Sequence, residues 1–442
     1  MPERIVSHSK YGCGVVKQSR YKDFELLVQF QDGLTRWIRF DELAGAVPSS
    51  QIAPLTTATT FSPTPPINEA FKSRRMIEAF RLGIVPYDCV DDFTFGRQEE
   101  SKELMNWLNS NNENILLLVG EYGTGKTHLL RYAYWRALQE GFAVAYVTMD
   151  PHEVPFHKPK SVYSHLIQNF LYYSKETKQK KQFRDFLMEI NIESIFKDHT
   201  YFKNLSNSTS NEMLWDWIEG KEAIARPYNP NNNDLLNLPA LYNYSTTANI
   251  YCYLLSTLGW AAKMVLGFKG LLLIFDEAEV LDLFTASQLK RGHNFLNALF
   301  FTAQNDEILL GNPRRGCLER NLDYCLSGIG RTTPFLYQRP CGLKLLFAFT
   351  PTNALNQLYK RHSPIRIDLQ SLPNDALKRV FEHIYLLYEN AYGVLKNTFT
   401  IETIFQSIIK QDIRTRLLVK SAVEILDLIR MNQVILLDGV LK

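Results

Sequence analysis

Gly120-Glu121-Tyr122-Gly123-Thr124-Gly125-Lys126-Thr127 is the stretch that decides the fold of this 442-residue chain. It fits the pattern G-x-x-x-x-G-K-[ST] in full, follows the apolar run 115–119 and precedes the helix-compatible run 127–139. Strand, glycine loop and helix in this order predict a loop whose backbone amides cradle phosphate groups at a helix N-terminus. Glycines also make ordinary tight turns, but the full pattern in this context predicts a nucleoside triphosphate site.

The polar side chains of this loop have separate expected roles. Lys126 would neutralise the β- and γ-phosphates, and the Thr127 hydroxyl would hold Mg²⁺. We therefore predict ATP and Mg²⁺ as cofactors. The predicted nucleotide-binding residues are Gly120, Glu121, Tyr122, Gly123, Thr124, Gly125, Lys126, Thr127 and His128.

A second motif lies about 150 residues further along the chain. The apolar run 271–275 ends in Asp276-Glu277, which is typical of a buried parallel strand whose C-terminal tip meets a ligand. Asp276 would bind Mg²⁺ directly or through water, and Glu277 would orient and deprotonate the attacking water. The alternative is a solvent-exposed cap at the end of the strand. Glu277 distinguishes a hydrolysing enzyme from a protein that only holds nucleotide.

Composition and charge limit the classes of function. The chain is 45% hydrophobic and 21% charged with a net charge of +3, so contact with nucleic acid would have to come from local patches. Residues 175–184 and 314–344 are locally basic. A solvated helix face is the commoner explanation of the first run, and a surface insertion explains the second as well as a DNA-facing loop does. The six cysteines lack C-x-x-C spacing, which fits reduced thiols better than disulfides or a zinc site.

Membrane insertion is not expected. Residues 1–10 carry no apolar signal core. The longest apolar stretch, 252–268, contains Lys263 and is short for a bilayer span, so we predict a buried helix there. We expect a cytoplasmic protein without a membrane partner.

Residues 1–44 are predicted to form a small β-barrel. Asp32-Gly33 is a strong hairpin turn between two apolar runs. The module resembles the Tudor/SH3-like barrels of bacterial helicases and transcription-coupled repair factors, which implies docking to a protein or a nucleic acid. The residues that carry this resemblance are His8, Tyr11, Gly12, Gly14, Val16, Val28, Phe30 and Gly33. Residues 45–67, rich in Pro, Ser and Thr, are predicted to be a linker.

Gly96-Arg97-Gln98-Glu99-Glu100 resembles the G-R-x-x-E box that precedes the phosphate loop of AAA+ ATPases. This resemblance implies that residues 90–96 line the adenine pocket; a plain turn and helix start is the alternative. It also implies a γ-phosphate sensor at Thr350 or Asn353, which follow the apolar strand 343–349.

The same resemblance implies two functional arginines. An arginine finger that reaches into a neighbouring subunit would be Arg361, with Arg366 as the second choice. The second sensor at the start of a lid helix would be Arg414, with Arg416 as the second choice. For the finger candidates, a simple helix-end cation is the alternative.

The predicted fold class is α/β, an AAA+-type P-loop parallel sheet with helices on both faces, a C-terminal helical lid and the N-terminal barrel. The ATPase core would span 68–370, with a long helical insertion at about 151–250, and the lid 371–442. Within the lid, helices are predicted at 374–392, 401–409 and 412–430 from the spacing of apolar residues.

Residues 74–86, 120–128, 215–220 and 275–279 together resemble the P-loop ATP-binding family of BREX phage-defence loci. The resemblance covers roughly residues 70 to 430. It implies an AAA+-like ATPase that acts in anti-phage defence with DNA and with a helicase or nuclease of the same locus, as a homo-oligomer.

Three functions therefore remain open. The chain could be an ATPase motor or switch that assembles on DNA. It could be a signalling or scaffold NTPase that recruits effectors without acting as a motor. It could also be a loader-type ATPase of DNA replication or repair.

Overall fold

The structure is a computed structural model in which the chain divides into two compact units, residues 1–66 and 67–442. The residues that it describes are 5–8, 12–20, 25–30, 35–39, 43–44, 69–86, 89–190, 192–205, 212–221, 238–241, 247–322, 332–395, 399–409, 414–431, 436–437 and 440–441.

The first unit contains a five-stranded antiparallel sheet. Its strands are β1 (Ile5–His8), β2 (Gly12–Arg20), β3 (Glu25–Phe30), β4 (Thr35–Arg39) and β5 (Leu43–Ala44). They lie in the order β4-β3-β2-β1-β5. The predicted hairpin is the β3–β4 pair, although its turn and the linker 45–67 lie outside the described residues. Closure of the sheet into a barrel stays a prediction.

The second unit is built on a seven-stranded sheet. Its strands are β6 (Ile115–Gly120), β7 (Ala143–Thr148), β8 (Phe170–Tyr173), β9 (Lys180–Gln182), β10 (Leu271–Asp276), β11 (Leu343–Phe349) and β12 (Ile365–Leu369). The order is β12-β6-β11-β10-β7-β8-β9, and the first five strands in this order are parallel. Every residue of β6, β10 and β11 is buried, because parallel strands are covered on both faces.

The second unit also contains α-helices. They are α1 (Glu69–Arg81), α2 (Gln98–Asn109), α3 (Lys126–Gln139), α4 (Pro159–Gln168), α5 (Phe183–Glu189), α6 (Ile192–Ile195), α7 (Glu212–Ile218), α8 (Ala248–Met264), α9 (Ala286–Ala303), α10 (Pro313–Glu319), α11 (Asn353–His362), α12 (Asn374–Tyr392), α13 (Ile401–Ile409) and α14 (Thr415–Arg430). Short 3-10 turns occupy Asp91–Phe93, Phe202–Leu205, Ala278–Leu283 and Glu307–Leu310, and β13 (Leu436–Leu437) pairs with β14 (Val440–Leu441).

Two hydrophobic cores lie on opposite faces of the sheet. Leu117 of β6 packs in one core with side chains of α4, α8 and α9, whereas its neighbour Leu118 packs in the other with side chains of α2 and α3. Successive residues of a strand point to opposite faces, so one apolar run serves both cores. The predicted α/β fold with helices on both faces is confirmed.

The lid has a core of its own. Helices α12, α13 and α14 pack together with α1, and Phe80, Phe381 and Leu418 are fully buried among them. The predicted lid helices 374–392 and 401–409 are confirmed. The third, α14, begins at Thr415 in the described part of the chain, and the predicted start at 412 lies outside the described residues. Helix α1 precedes the glycine loop in sequence but packs with the lid.

The segment predicted as a long helical insertion is only partly helical. Besides α4 to α7 it contributes β8 and β9, which extend the sheet from β7. Phe170 and Tyr172 of β8 are buried against Phe186 of α5. The helical prediction was wrong here because pairing with β7 and this aromatic packing are long-range effects. The basic run 175–184 lies on the β8–β9 hairpin and the start of α5, not on one helix face.

The apolar stretch 252–268 falls largely within α8, which is buried as predicted. Across the described ranges, no helix combines the length and the apolar character needed to cross a bilayer.

Candidate nucleotide-binding site

The glycine loop joins the end of β6 to the start of α3. Gly123 and Gly125 have φ values of +84° and +98°, a left-handed conformation that glycine adopts without strain. A Cβ atom on Gly125 would meet nothing within 4 Å, so the space over the loop is open. Backbone geometry therefore explains why glycine stands at both positions.

Lys126 lies at the centre of the loop. It is 8% exposed, and its Nζ donates hydrogen bonds to the carbonyls of Gly120 at 2.8 Å and Glu121 at 3.3 Å. Both acceptors are neutral, and no described carboxylate pairs with this ammonium. A buried charge is stabilised by an opposite charge, so the loop fits a phosphate group.

Arg97 fixes the loop to its surroundings. This side chain is 6% exposed; Nη2 donates to the carbonyls of Thr124 at 2.7 Å and Gln370 at 2.5 Å, while Nη1 pairs with Glu100 at 2.6 Å. One guanidinium thus connects the glycine loop, the residue after β12 and the start of α2. The sequence pattern placed Arg97 in a motif but assigned it no role of its own.

His128, in the first turn of α3, contacts the segment predicted to line an adenine pocket. Its Nε2 lies 3.1 Å from the Thr94 hydroxyl, which donates to the Val90 carbonyl at 2.7 Å. Burial, with the nearby charges of Arg131 and Arg97, lowers the pKa of His128 to about 4. The imidazole is therefore neutral near pH 7. The part of 90–96 that includes Val90 and Thr94 lies against the phosphate-loop helix, while its contact with adenine stays a prediction.

Asp276 ends β10 at the same sheet edge as the glycine loop. Strands β6 and β10 both pair in parallel with β11, so all three end together. Asp276 is 3% exposed and accepts the Tyr146 hydroxyl at 2.7 Å and the Glu277 amide at 3.0 Å. The structure therefore brings Lys126 and Asp276 to one edge.

Tyr146 is a residue that the sequence pattern did not single out. Burial, together with the Asp276 carboxylate, raises the pKa of Tyr146 well above 10, so the phenol stays protonated and donates to Asp276. Tyr146 stands in β7 opposite Ile274 of β10. The sequence did contain one signal of this role, because Tyr146 carries the only hydroxyl in the apolar run 143–147.

Glu277 adopts a left-handed backbone conformation with φ of +55° and ψ of +37°. Such a conformation is uncommon for a residue with a Cβ atom and often marks a functional site. Desolvation, the Asp276 carboxylate and the Glu279 carboxylate raise the pKa of Glu277, against the opposing charges of Arg416 and Lys126. A carboxylate of raised pKa is a better proton acceptor from water.

Glu279 is a third acid at this edge, and the sequence pattern gave it no role. It lies near Lys126 and Asp276, and its carboxylate accepts the backbone N–H of Thr350. Its Oε2 atom is buried and has no hydrogen-bond partner among the described residues, and burial raises the pKa of the group. Thr350, a predicted sensor, follows β11 and therefore lies between the two motif strands.

Asn353, the other sensor candidate, is exposed and begins α11. Thr352 caps that helix by accepting the Leu355 amide at 3.3 Å. The structure thus puts Thr350 beside Glu279 and Asn353 on the helix that leaves this edge.

Both lid arginines reach the glycine loop. Arg414 donates from Nη1 to the Tyr122 carbonyl at 2.9 Å, and its guanidinium lies 5.8 Å from the centre of the Tyr122 ring. Arg416 lies 3.5 Å from the Tyr122 hydroxyl. A Cβ atom on Gly83, where φ is +68°, would come within 2.9 Å of Arg416 Cγ, so close packing at Gly83 helps to position Arg416.

The two finger candidates lie elsewhere. Helix α11 runs from the end of β11 back to the start of β12, so Arg361 lies toward the opposite edge of the sheet. Arg361 donates to the Arg320 carbonyl and stands 5.4 Å from the Phe301 ring centre. Arg366 pairs with Asp368 at 2.6 Å. Neither arginine therefore contacts Lys126 of its own chain.

Thr127 and Asp276 are the residues that could hold Mg²⁺. No group of three or more His, Cys, Asp or Glu side chains that could bind a metal occurs among the described residues. Mg²⁺ is commonly bound by one or two protein groups together with substrate phosphates. One hydroxyl and one carboxylate beside a phosphate-binding loop fit that arrangement.

Comparisons with known proteins find a family match and similar solved structures. Residues 69–212, out of 442, match the family described as "BREX system ATP-binding protein BrxC/D". Solved structures similar to this chain include the Walker-type ATPase PABY2304 of Pyrococcus abyssi, with 15% identity, a TM-score of 0.36, and 75% of this chain and 68% of that chain covered. Among curated proteins, none matches this chain. Over the glycine loop and its surroundings, the chain is therefore similar to BREX ATP-binding proteins.

Proposed function

We propose that this chain is an ATP-binding and ATP-hydrolysing P-loop ATPase. One observation carries the proposal: buried Lys126 in its glycine loop and the acid pair Asp276-Glu277 lie at the same edge of one parallel sheet. Phosphoryl transfer to water needs charge neutralisation of the phosphates, a metal site and an acceptor for the water proton. The three requirements fall on neighbouring residues here.

Each group has a defined task in this proposal. The loop amides and Lys126 bind the β- and γ-phosphates, and Thr127 and Asp276 would hold Mg²⁺, which when bound neutralises phosphate charge. Tyr146 keeps the Asp276 carboxylate oriented through its hydrogen bond. Glu277 orients the attacking water and accepts its proton. Thr350 and Glu279 lie where the γ-phosphate would be sensed.

The test separates binding from hydrolysis. Lys126→Ala removes the phosphate-binding ammonium, so we expect it to abolish ATP binding. Glu277→Gln keeps the size of the side chain but cannot accept a proton, so we expect ATP binding with turnover reduced at least about 100-fold. Lys102→Ala, an exposed lysine on α2, is the charge-matched control. ATP affinity unchanged by Lys126→Ala would refute the site, and full turnover in Glu277→Gln would refute its role.

We further propose that the ATPase acts in anti-phage defence, with DNA and with a helicase or nuclease of the same locus. The similarity of residues 69–212 to BREX ATP-binding proteins supports this. The net charge of +3 gives DNA no general attraction. Turnover measured with and without duplex DNA decides the point, because unchanged turnover with no DNA complex at low salt would exclude a DNA-stimulated motor.

A second candidate is a signalling or scaffold NTPase. It is favoured by the positions of Arg361 and Arg366, because a single copy brings neither finger candidate to its own glycine loop. The lid arginines Arg414 and Arg416 reach that loop in either case. Under the motor or loader proposals, a second copy of the chain supplies Arg361 and the protein works as a homo-oligomer. Specific turnover that rises with protein concentration supports assembly, whereas a low, concentration-independent rate favours the scaffold.

A further inference from the structure

A cavity of about 390 Å³ with a mixed polar and apolar lining lies at the sheet edge opposite the glycine loop. Its walls include Asn114, Phe142 and Lys344, which stand at or next to the starts of β6, β7 and β11. Parallel strands have all their starts at one edge and all their ends at the other. The cavity is therefore separate from Lys126 and Asp276.

The lining of this cavity is cationic. Lys263, Lys269 and Lys344 contribute ammonium groups, and four asparagines and one serine contribute further polar atoms. Among the described residues that line it, none is Asp or Glu. The cavity volume falls within the range of small-molecule sites, about 300–1,000 Å³.

Lys344 is built into the wall rather than lying on the surface. It is 6% exposed, and its Nζ donates to the carbonyls of Trp107 and Glu113, both at 2.8 Å, and stands 4.8 Å from the centre of the Trp107 ring. An ammonium has three donors, and the two carbonyls take two of them. Neither carbonyl carries a charge that compensates the lysine.

The other two lysines differ in how their charge is balanced. Lys269 donates to Asn109 at 2.8 Å and pairs with Glu140, so its charge is balanced. Lys263 has no partner among the described residues and disfavours the charged form of Lys344. The Glu113 carboxylate favours the charged form of Lys344, but its effect on the pKa is smaller than that of desolvation. The cavity thus holds two incompletely compensated positive charges.

We propose that this cavity binds a small phosphate-bearing anion, at a second site distinct from the nucleotide site. A phosphate monoester carries about −1.5 to −2 charges at pH 7, which matches the surplus of Lys263 and Lys344. Asn109 and Asn305 also line the cavity, and each side-chain amide has a second N–H besides the one that donates to the carbonyl of Met105 or Ala303. A free phosphate ion and a nucleoside monophosphate share this chemistry. The proposal does not depend on ATP hydrolysis at Lys126.

Binding of such an anion has a proton signature. Burial lowers the pKa of Lys344 to about 8 in the absence of an anion, with Lys263 adding to the effect and Glu113 opposing it. An anion beside the ammonium favours its charged form and so raises this pKa. Binding near pH 8 therefore takes up protons, and affinity falls as the pH rises above about 8.

The experiment is calorimetric titration of the full chain carrying Lys126→Ala, which removes the phosphate-loop ammonium. The probes are inorganic phosphate and AMP, each measured at pH 8 in two buffers of different ionisation enthalpy. We expect saturable binding with proton uptake, weakened at least tenfold when Lys263→Gln is added. Lys72→Gln, an exposed lysine on α1, should leave it unchanged.

The outcomes are distinct. Equal affinities for phosphate and AMP would show that the cavity recognises the phosphate group alone. Tighter binding of AMP would show that the nucleoside also contacts the cavity. Both results support the proposal. The proposal is overturned if neither phosphate nor AMP binds saturably to the Lys126→Ala variant. It is also overturned if adding Lys263→Gln to that variant leaves the affinity unchanged. Lys344→Met is a second variant, but it leaves two carbonyls unpaired, so half-buried Lys263 carries the test.

Discussion

The guanidinium of Arg414 donates a 2.9 Å hydrogen bond to the backbone carbonyl of Tyr122, joining the start of α14 to the glycine loop. Arg416, two residues further on, contacts the hydroxyl of the same tyrosine at 3.5 Å. The lid helices pack in a core of their own, so their position relative to the phosphate loop depends on contacts such as these. A ligand that changes the conformation of the loop would therefore also change the contacts of Arg414 and Arg416 that position the lid.

We expect Arg414→Ala to lower ATP turnover by about 10- to 100-fold, the order of loss seen when one donor to developing charge is removed. ATP binding should change less, because Lys126 and the loop amides remain. Steady-state turnover and ATP affinity are measured for Arg414→Ala and Arg416→Ala, with Arg379→Ala as control because Arg379 is an exposed residue of α12. Normal turnover in Arg414→Ala together with reduced turnover in Arg416→Ala would identify Arg416 as the second sensor.

Tyr146→Phe should raise the Mg²⁺ concentration needed for half-maximal ATP turnover. The variant removes the 2.7 Å hydrogen bond that orients Asp276, and loss of one such bond to a charged group costs about 1.5–3 kcal/mol. Tyr173→Phe, in β8, is a matched control because its ring is half-buried away from Asp276. An unchanged Mg²⁺ dependence would show that Glu277 N–H alone suffices to hold the carboxylate.

Arg97→Met should destabilise the protein by about 2–4 kcal/mol, because it leaves the carbonyls of Thr124 and Gln370 without their donor in a buried site. Weaker ATP binding should accompany this loss, since the loop would no longer be fixed to β12. Urea unfolding and ATP titration measure the two effects. The free energy of unfolding of Arg315→Met, a change at an exposed residue, should stay within about 0.5 kcal/mol of the wild type. A similarly small effect of Arg97→Met would contradict the role of Arg97 in fixing the loop.

Arg361→Ala should leave ATP binding intact and stop turnover in assembled protein, if Arg361 acts on a neighbouring copy. Turnover is measured across a range of protein concentrations for the wild type, Arg361→Ala and Arg366→Ala. Because Arg361 also contacts the Arg320 carbonyl and the Phe301 ring, thermal unfolding of each variant serves as the control for structural damage. Retained turnover in a folded Arg361→Ala would place the finger elsewhere.

Stability should fall as the pH is lowered from 6.5 toward 4. Burial lowers the pKa of His128 and of His362 to about 4, and that of His199 to about 3. The unfolded chain, with histidine pKa values near 6.5, binds more protons in this window, so stability rises with pH there. Three such groups give a slope of up to about 4 kcal/mol per pH unit. Urea unfolding at pH 4.5, 5.5 and 6.5 tests this, and a flat profile would contradict neutral buried histidines.

The predictable features were those encoded locally. The glycine loop, the strand ending at Asp276 and the lid helices each follow from a short pattern of apolar, glycine and acidic residues. The role of Tyr146 was not predictable, because it depends on the register that sets β7 beside β10. The strands β8 and β9 were missed for a similar reason, since their stability comes from pairing with β7 and from aromatic packing.

The sequence by itself determined that a glycine loop of the phosphate-binding pattern, an acid pair and a helical lid exist, because each is specified by residues close together in the chain. Only the tertiary structure decided which distant side chains meet them. It brought Arg97, Tyr146, Arg414 and Arg416 to the site and kept Arg361 and Arg366 away. The physical reason is that these contacts depend on strand order and helix packing, which are set by the burial of apolar surface across the whole domain.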